Sequence, residues 1–167
     1  MNPSDSAVAI IWNTIAQELS DLPDLEQATR IVFKLVLAAL LGGLLGFERE
    51  ASGKAAGLRT HMLVAMGAAM FLAIAQLLGV SAQESSRVIQ GVIAGVGFLG
   101  AGAILKSSKD GEEDIKGLTT AAGIWFTAAI GVAVGVGEES AAIFCTVIAL
   151  VVLMVGPWLT KDRWSKK

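Results

Sequence analysis

Tyrosine is absent from this 167-residue chain, cysteine occurs once and proline three times. A single cysteine, Cys145, cannot close an internal disulfide, so no disulfide framework holds the fold. It sits in an apolar run and is expected to be a buried structural thiol. Charge is scarce too. Asp, Glu, Lys and Arg make up 17% of the residues, against roughly 25% in average soluble domains. The net charge of −2 supplies no basic footprint and excludes nucleic acid as a partner. HExxH, GxSxG, a Walker loop and a Cys/His metal cluster are all missing, so neither an enzyme nor a metal or cofactor site is indicated. The first charges of the chain are Asp5, Glu18 and Asp21. Without a basic n-region, no cleavable signal peptide is expected.

What is present is apolar residue and glycine. The hydrophobic share is 54%, with 19 glycines. Disordered glycine-rich chains lack aliphatic residues, so glycine here is expected to serve packing. Five apolar spans stand out: Ile31–Phe47, Met62–Val80, Val88–Leu105, Leu118–Gly137 and Ala141–Leu159. Each approaches the roughly 20 residues that cross a hydrocarbon core. In lipid, backbone satisfaction makes each a helix. The fold class is therefore an all-α integral membrane protein of five transmembrane helices. Residues 1–30 form an N-terminal amphipathic segment, 31–160 the membrane domain and 161–167 a basic tail. Pro23, with Asp24 and Glu26 after it, suits a helix start, and a helix from there to Phe47 is long enough to tilt or emerge. In residues 7–19, Val8, Ile11, Trp12, Ile15 and Leu19 recur at helical spacing. That pattern reads as a helix lying on the membrane surface, or as one packed on a partner subunit.

Ten of the 13 Lys and Arg residues fall in the connections between spans 1 and 2 (Arg49, Lys54, Arg59) and 3 and 4 (Lys106, Lys109, Lys116) and in the tail (Lys161, Arg163, Lys166, Lys167). Arg30, Lys34 and Arg87 lie on the other side. By the positive-inside tendency the N-terminus is outside and the C-terminus cytoplasmic.

Three features carry the functional reading. Glycines recur at four-residue spacing as Gly42/Gly46, Gly91/Gly95 and Gly131/Gly135, a pattern that lets helices approach closely. It serves packing within the chain or a homodimer seam. The third span adds Gly97, Gly100 and Gly102. It reads either as a helix packed on all sides, in which Gly95→Leu is disruptive, or as a broken helix lining a site. Charge knots close the first span (Glu48, Arg49, Glu50) and open the second (Arg59, Thr60, His61). Glu48 and Arg59 are expected within salt-bridge range, forming an interfacial network or a binding or proton-responsive site. His61, the one histidine, titrates near neutral pH or serves as a structural donor. Lys116, Thr119 and Thr120 open the fourth span on the same side. Arg87 and Gln90 open the third on the opposite side, with Gln90 as an amide at membrane depth. Ser107–Asp114 reads as a flexible solvated loop, or as a divalent-cation loop built on Asp110, Glu112, Glu113 and Asp114.

The segments LLGFERE, GLRTHMLVAMGA, RVIQGVIAGVGFLGAGAIL and IKGLTTAAGIW stand in the order and spacing of the MgtC/SapB membrane proteins, and the chain resembles that family over roughly residues 30–137. The resemblance implies a multi-pass protein of the bacterial inner membrane. It implies a role in adaptation to low magnesium, virulence in pathogens and, for some members, a partnership with the membrane ATP synthase. Many members continue into a soluble C-terminal domain; regulation residing there does not carry over. Three readings follow. The first is a non-enzymatic protein modulating membrane energetics or cation homeostasis through a membrane partner or a second copy of itself. The second is a small transporter or channel with a polar path near Glu48, Arg59 and the third span. The third is a small-molecule-sensing membrane module. A polar cavity lined by Gln90, Gly95 or Gly97 favours transport, and a dry bundle with an exposed glycine face favours a partner.

Overall fold

A computed structural model describes residues 7–19, 24–109 and 112–164. Its elements are α1 (Ala7–Leu19), α2 (Leu25–Ala51), α3 (Leu58–Leu77), α4 (Ala82–Ala103), β1 (Leu105–Lys109), β2 (Glu112–Lys116), α5 (Leu118–Val136) and α6 (Glu139–Trp164). Among the described residues, five helices, α2 to α6, are long and apolar enough to cross a membrane. The chain is an all-α membrane protein with a further helix at its N-terminus. Pro23, Asp5, Asp21, Asp110, Lys166 and Lys167 lie outside the described residues.

Residues up to Val32 form one unit and those from Phe33 another. In the first, α1 carries exposed Val8, Ile11, Trp12 and Ile15. The Asp24 carboxylate starts α2 by accepting from the Gln27 N–H at 2.8 Å, an N-cap contact of the usual kind. Glu26 and Arg30 pair one turn apart at 2.6 Å.

In the second unit the element boundaries follow local chemistry. Ser81 and Glu84 make a reciprocal capping box at the start of α4, satisfying two of its free donors. Gly137, at φ +100°, ends α5, and Glu138 N–H returns to the Ala133 carbonyl at 2.8 Å, a Schellman-type stop. Gly117, at φ +93°, turns the chain from β2 into α5. A Cβ there would run into the carbonyl of Ala103, so conformation and space both demand glycine.

α3 and α5 share an extensive helix interface. They run parallel, since Ala65 of α3 lies against Gly131 and Leu72 against Gly135. α2 packs antiparallel on α3. A Cβ at Gly42 would fall 2.6 Å from the His61 carbonyl oxygen, and one at Gly46 would fall 2.7 Å from Leu58 Cα. Gly42, Gly46, Gly131 and Gly135 therefore do what their spacing predicts. Around them is a core of small and branched residues: Ala38, Leu41, Leu45, Ala65, Ala69, Ile130, Val134 and Ala142.

Other expectations need correction. α4 is one continuous helix, so the broken-helix reading fails. Nothing lies within 4 Å of a Cβ at Gly91, Gly95, Gly97 or Gly102, and Gly100 meets only Ala121, at 3.7 Å. This helix is not packed on all sides: most of its glycines face open space, and a Cβ at Gly95 has no neighbour to strike among the described residues. Cys145 is exposed on α6 rather than buried; an apolar run in a membrane helix has a lipid side as well as a core side. The segment read as a flexible loop is an antiparallel hairpin, with Leu105 opposite Lys116 and Lys109 opposite Glu112. The dipeptide Asp110-Gly111 between charged residues was the available signal, because Asp-Gly favours two-residue hairpin turns.

Candidate functional site

The end of the bundle where α2 stops and α3 and α5 begin gathers most of the polar residues singled out above. Arg49 is only 2% exposed. Its guanidinium closes on the carboxylate of its own neighbour, Glu48, which also accepts from the Ser52 hydroxyl at 2.8 Å. Consecutive helical residues rarely face each other; here Arg49 is driven inward by the packing of α2 and Glu48 follows it. Arg59, the expected partner of Glu48, is exposed and makes no ion pair among the described residues. The interhelical link is made by Glu50 instead, which accepts from the Leu58 N–H at 2.9 Å. An anion at a helix N-terminus is favoured by both the free N–H groups and the helix dipole. α2 and α3 are thus joined by a charge–dipole cap, not a salt bridge.

His61 is fully buried one turn further in. Gly46 leaves room for its Cβ, and Gly123 of α5 leaves room for Nε2: a Cβ at Gly123 would lie 3.5 Å from that nitrogen. Nδ1 donates to the Gly57 carbonyl at 3.0 Å. Nε2 has no partner. One turn along α5 from Gly123, the hydroxyl of Thr127 is also buried and unpartnered. Two orphaned polar atoms thus sit in the α3–α5 seam, where satisfaction is the rule.

Thr120 is buried at the start of α5, while Thr60, Lys116 and Thr119 are exposed nearby. Arg87 and Gln90 are not brought into this cluster. Both are exposed on α4, Arg87 in its second turn, and the Gln90 amide is not the buried group expected of it.

The opposite end of the bundle holds a network that the charge knots did not reveal. Lys34 Nζ donates to Gln76 Oε1 and to the Gly135 carbonyl, both at 2.7 Å. Gln76 Nε2 donates to the Val136 carbonyl at 2.9 Å. A cation and an amide together satisfy the last carbonyls of α5, where positive charge is favoured. Lys34 and Gln76 interrupt otherwise apolar spans, which was the available signal.

Between α3 and α4 runs a groove of about 680 Å³. Leu63, Phe71, Val88 and Leu99 form part of its walls, and Gly67, Gly91 and Gly95 its open stretches. No polar side chain lines it.

The model of the MgtC family matches residues 35–162, and so takes in the cap, the buried arginine, the histidine and both glycine seams. The chain belongs to the MgtC family. It is 43% identical over 142 residues to the protein named putative magnesium transporter YhiD of Escherichia coli, covering 81% of this chain and 64% of that one. It is 42% identical over 144 residues to SrpB of Synechococcus elongatus, covering 81% and 79%. With MgtC of Brucella abortus the identity is 47% over 116 residues, covering 69% and 46%. This MgtC-family chain thus spans less than two thirds of the YhiD and Brucella MgtC sequences. No solved structure matches it.

Proposed function

We propose that this protein serves magnesium homeostasis in a bacterial inner membrane without catalysing a reaction, by engaging a transmembrane helix of a partner protein. The observation that carries this reading is the character of the α3–α4 groove. It is wide, apolar and floored by glycines that none of the described residues fills. In lipid, helices associate where small residues allow close approach, whereas an ion path needs carbonyls, carboxylates or water along its length. The magnesium part of the reading comes from the family and from the name of the E. coli relative. The membrane ATP synthase, implied by the resemblance, is the first partner to test. In this reading the α3 and α5 N-termini face the cytoplasm, on the strength of the Lys/Arg distribution.

Two measurements test it together. Purified protein in liposomes is expected to move no magnesium. Gly95→Leu is expected to fold and melt like the wild type yet lose the ability to restore growth of a deletion strain in low magnesium. Magnesium flux through the purified protein alone, or full rescue by Gly95→Leu, sinks the partner reading. Transport is the second reading, and one observation favours it: the unpartnered His61 Nε2 and Thr127 Oγ1 inside the bundle are polar atoms at membrane depth. Loss of liposome flux in His61→Leu is its signature.

A further inference from the structure

Gly57 and Gly117 cap α3 and α5 without a side chain to offer. Each helix therefore begins with backbone N–H groups that its own ladder cannot use. Glu50 takes that of Leu58. The first bonds back to the caps are made by His61 to Gly57 and by Ala121 to Gly117. The N–H groups of Arg59 and Thr60 on α3, and of Leu118, Thr119 and Thr120 on α5, have no acceptor among the described residues.

The third residue of each helix, Thr60 and Thr120, lines one shared cavity of about 370 Å³. Thr120 is 3% exposed, and its hydroxyl has no hydrogen-bond partner among the described residues. Unlike Thr127 Oγ1, which is sealed in, Thr120 borders open space. An unpaired hydroxyl on a buried residue that lines a cavity is a group that a ligand can satisfy. The remaining walls come from small and apolar residues, among them Phe98, Leu99, Gly102 and Ile124. No Asp or Glu lines the cavity.

The ligand chemistry follows from the donors. The α5 N-terminus presents an uncapped positive dipole end, and α3, whose Leu58 N–H already holds the Glu50 carboxylate, adds the Thr60 N–H; two hydroxyls lie beside them, with the exposed Arg59 guanidinium one residue from Thr60. Such an array suits an anion with several acceptor oxygens. The apolar walls leave room for a hydrocarbon substituent on it. We propose that the cavity between the α3 and α5 N-termini binds a phosphate group, held by the hydroxyls and N–H groups of Thr60 and Thr120, the members of the two first turns that line it. The phosphate is either carried by a lipid or free in solution. This site borders the α3–α4 groove at Leu99 and does not depend on the magnesium reading.

The test uses the whole protein in dodecyl maltoside, titrated separately with phosphatidylglycerol, with the phosphate-free lipid digalactosyldiacylglycerol, and with inorganic phosphate. Thermal stability is followed throughout, and phosphorus NMR line width for inorganic phosphate. Stabilisation by phosphatidylglycerol beyond the galactolipid assigns a lipid-borne phosphate; stabilisation and line broadening with inorganic phosphate assign a free one. Two variants locate the site. Thr120→Val removes the hydroxyl at constant shape. Gly102→Leu, placed where a Cβ meets nothing within 4 Å, fills the cavity and guards against a folding failure of the first. Thr120→Val is expected to weaken binding roughly 10-fold or more, the worth of a hydrogen bond to a charged group, and Gly102→Leu to weaken it at least as far by occupying the space. The proposal is overturned if neither phosphate carrier acts beyond the galactolipid, or if either folded variant keeps wild-type affinity.

Discussion

Gly131 and Gly95 look alike in sequence, each being one member of a four-residue glycine pair in an apolar helix. Replacing each by alanine should separate them. A Cβ at Gly131 would strike the Ala65 backbone, with the carbonyl carbon at 2.9 Å and Ala68 Cβ also at 2.9 Å. Contacts under 3.0 Å with backbone cannot be relieved by rotating a side chain, so α3 and α5 must move apart along their shared interface. Overpacking of this kind costs about 1–3 kcal/mol. At Gly95 the added methyl meets nothing within 4 Å. Both substitutions exchange glycine for alanine inside a helix, a gain of roughly 1 kcal/mol in each, and this cancels in the comparison. Gly131→Ala is therefore expected to be less stable than Gly95→Ala by about 1–3 kcal/mol, or roughly 5- to 150-fold in the folding equilibrium. Reversible unfolding in mixed micelles, with both variants beside the wild type, measures the difference. Equal stabilities would refute the reasoning. They would mean that the α3–α5 seam yields freely, or that the α4 face is as tightly covered as the seam.

Three further outcomes follow from the polar contacts. Glu48→Gln strands the buried Arg49 charge and should cost about 3–5 kcal/mol, less after snorkelling, while Arg59→Gln should change stability by under about 0.5 kcal/mol; a melting series that ranks them the other way contradicts the pairing described here. Glu50→Ala removes the α3 cap and should cost about 1 kcal/mol, with faster amide exchange confined to the first turn of α3, and unchanged exchange there would remove the cap from the account. Gly117→Ala combines a left-handed backbone with a clash against Ala103 and should cost at least about 1–3 kcal/mol, so a variant that melts with the wild type would show that the turn into α5 adapts.

Much of this molecule was legible from the order of its residues. Five stretches of lipid-compatible length can only be helices, because a backbone in hydrocarbon must satisfy itself. The motifs from LLGFERE to IKGLTTAAGIW point to the family. The Gly42/Gly46 and Gly131/Gly135 pairs announce close helix contacts, since only glycine lets two backbones meet. The capping box at Ser81 and Glu84 and the Asp110-Gly111 hairpin signal were also there to be read.

What the tertiary structure decided is which way each face points. In a soluble helix the apolar stripe names the buried side, but in a membrane helix the core and the lipid are both apolar, so the stripe fades. For that reason Gly91 and Gly95 carry the same spacing as Gly131 and Gly135 and yet border open space, and Cys145, in an apolar run, stands exposed. The partners of charges were hidden by the same cause. Glu48, Glu50, Arg49 and Arg59 are close enough in sequence to pair in several ways. The rotation of α2 about its axis turned Arg49 inward, gave it Glu48, and sent Glu50 to the α3 N-terminus. That rotation is fixed by Gly42 and Gly46 meeting the backbone of α3, a contact between segments that only the folded chain brings together.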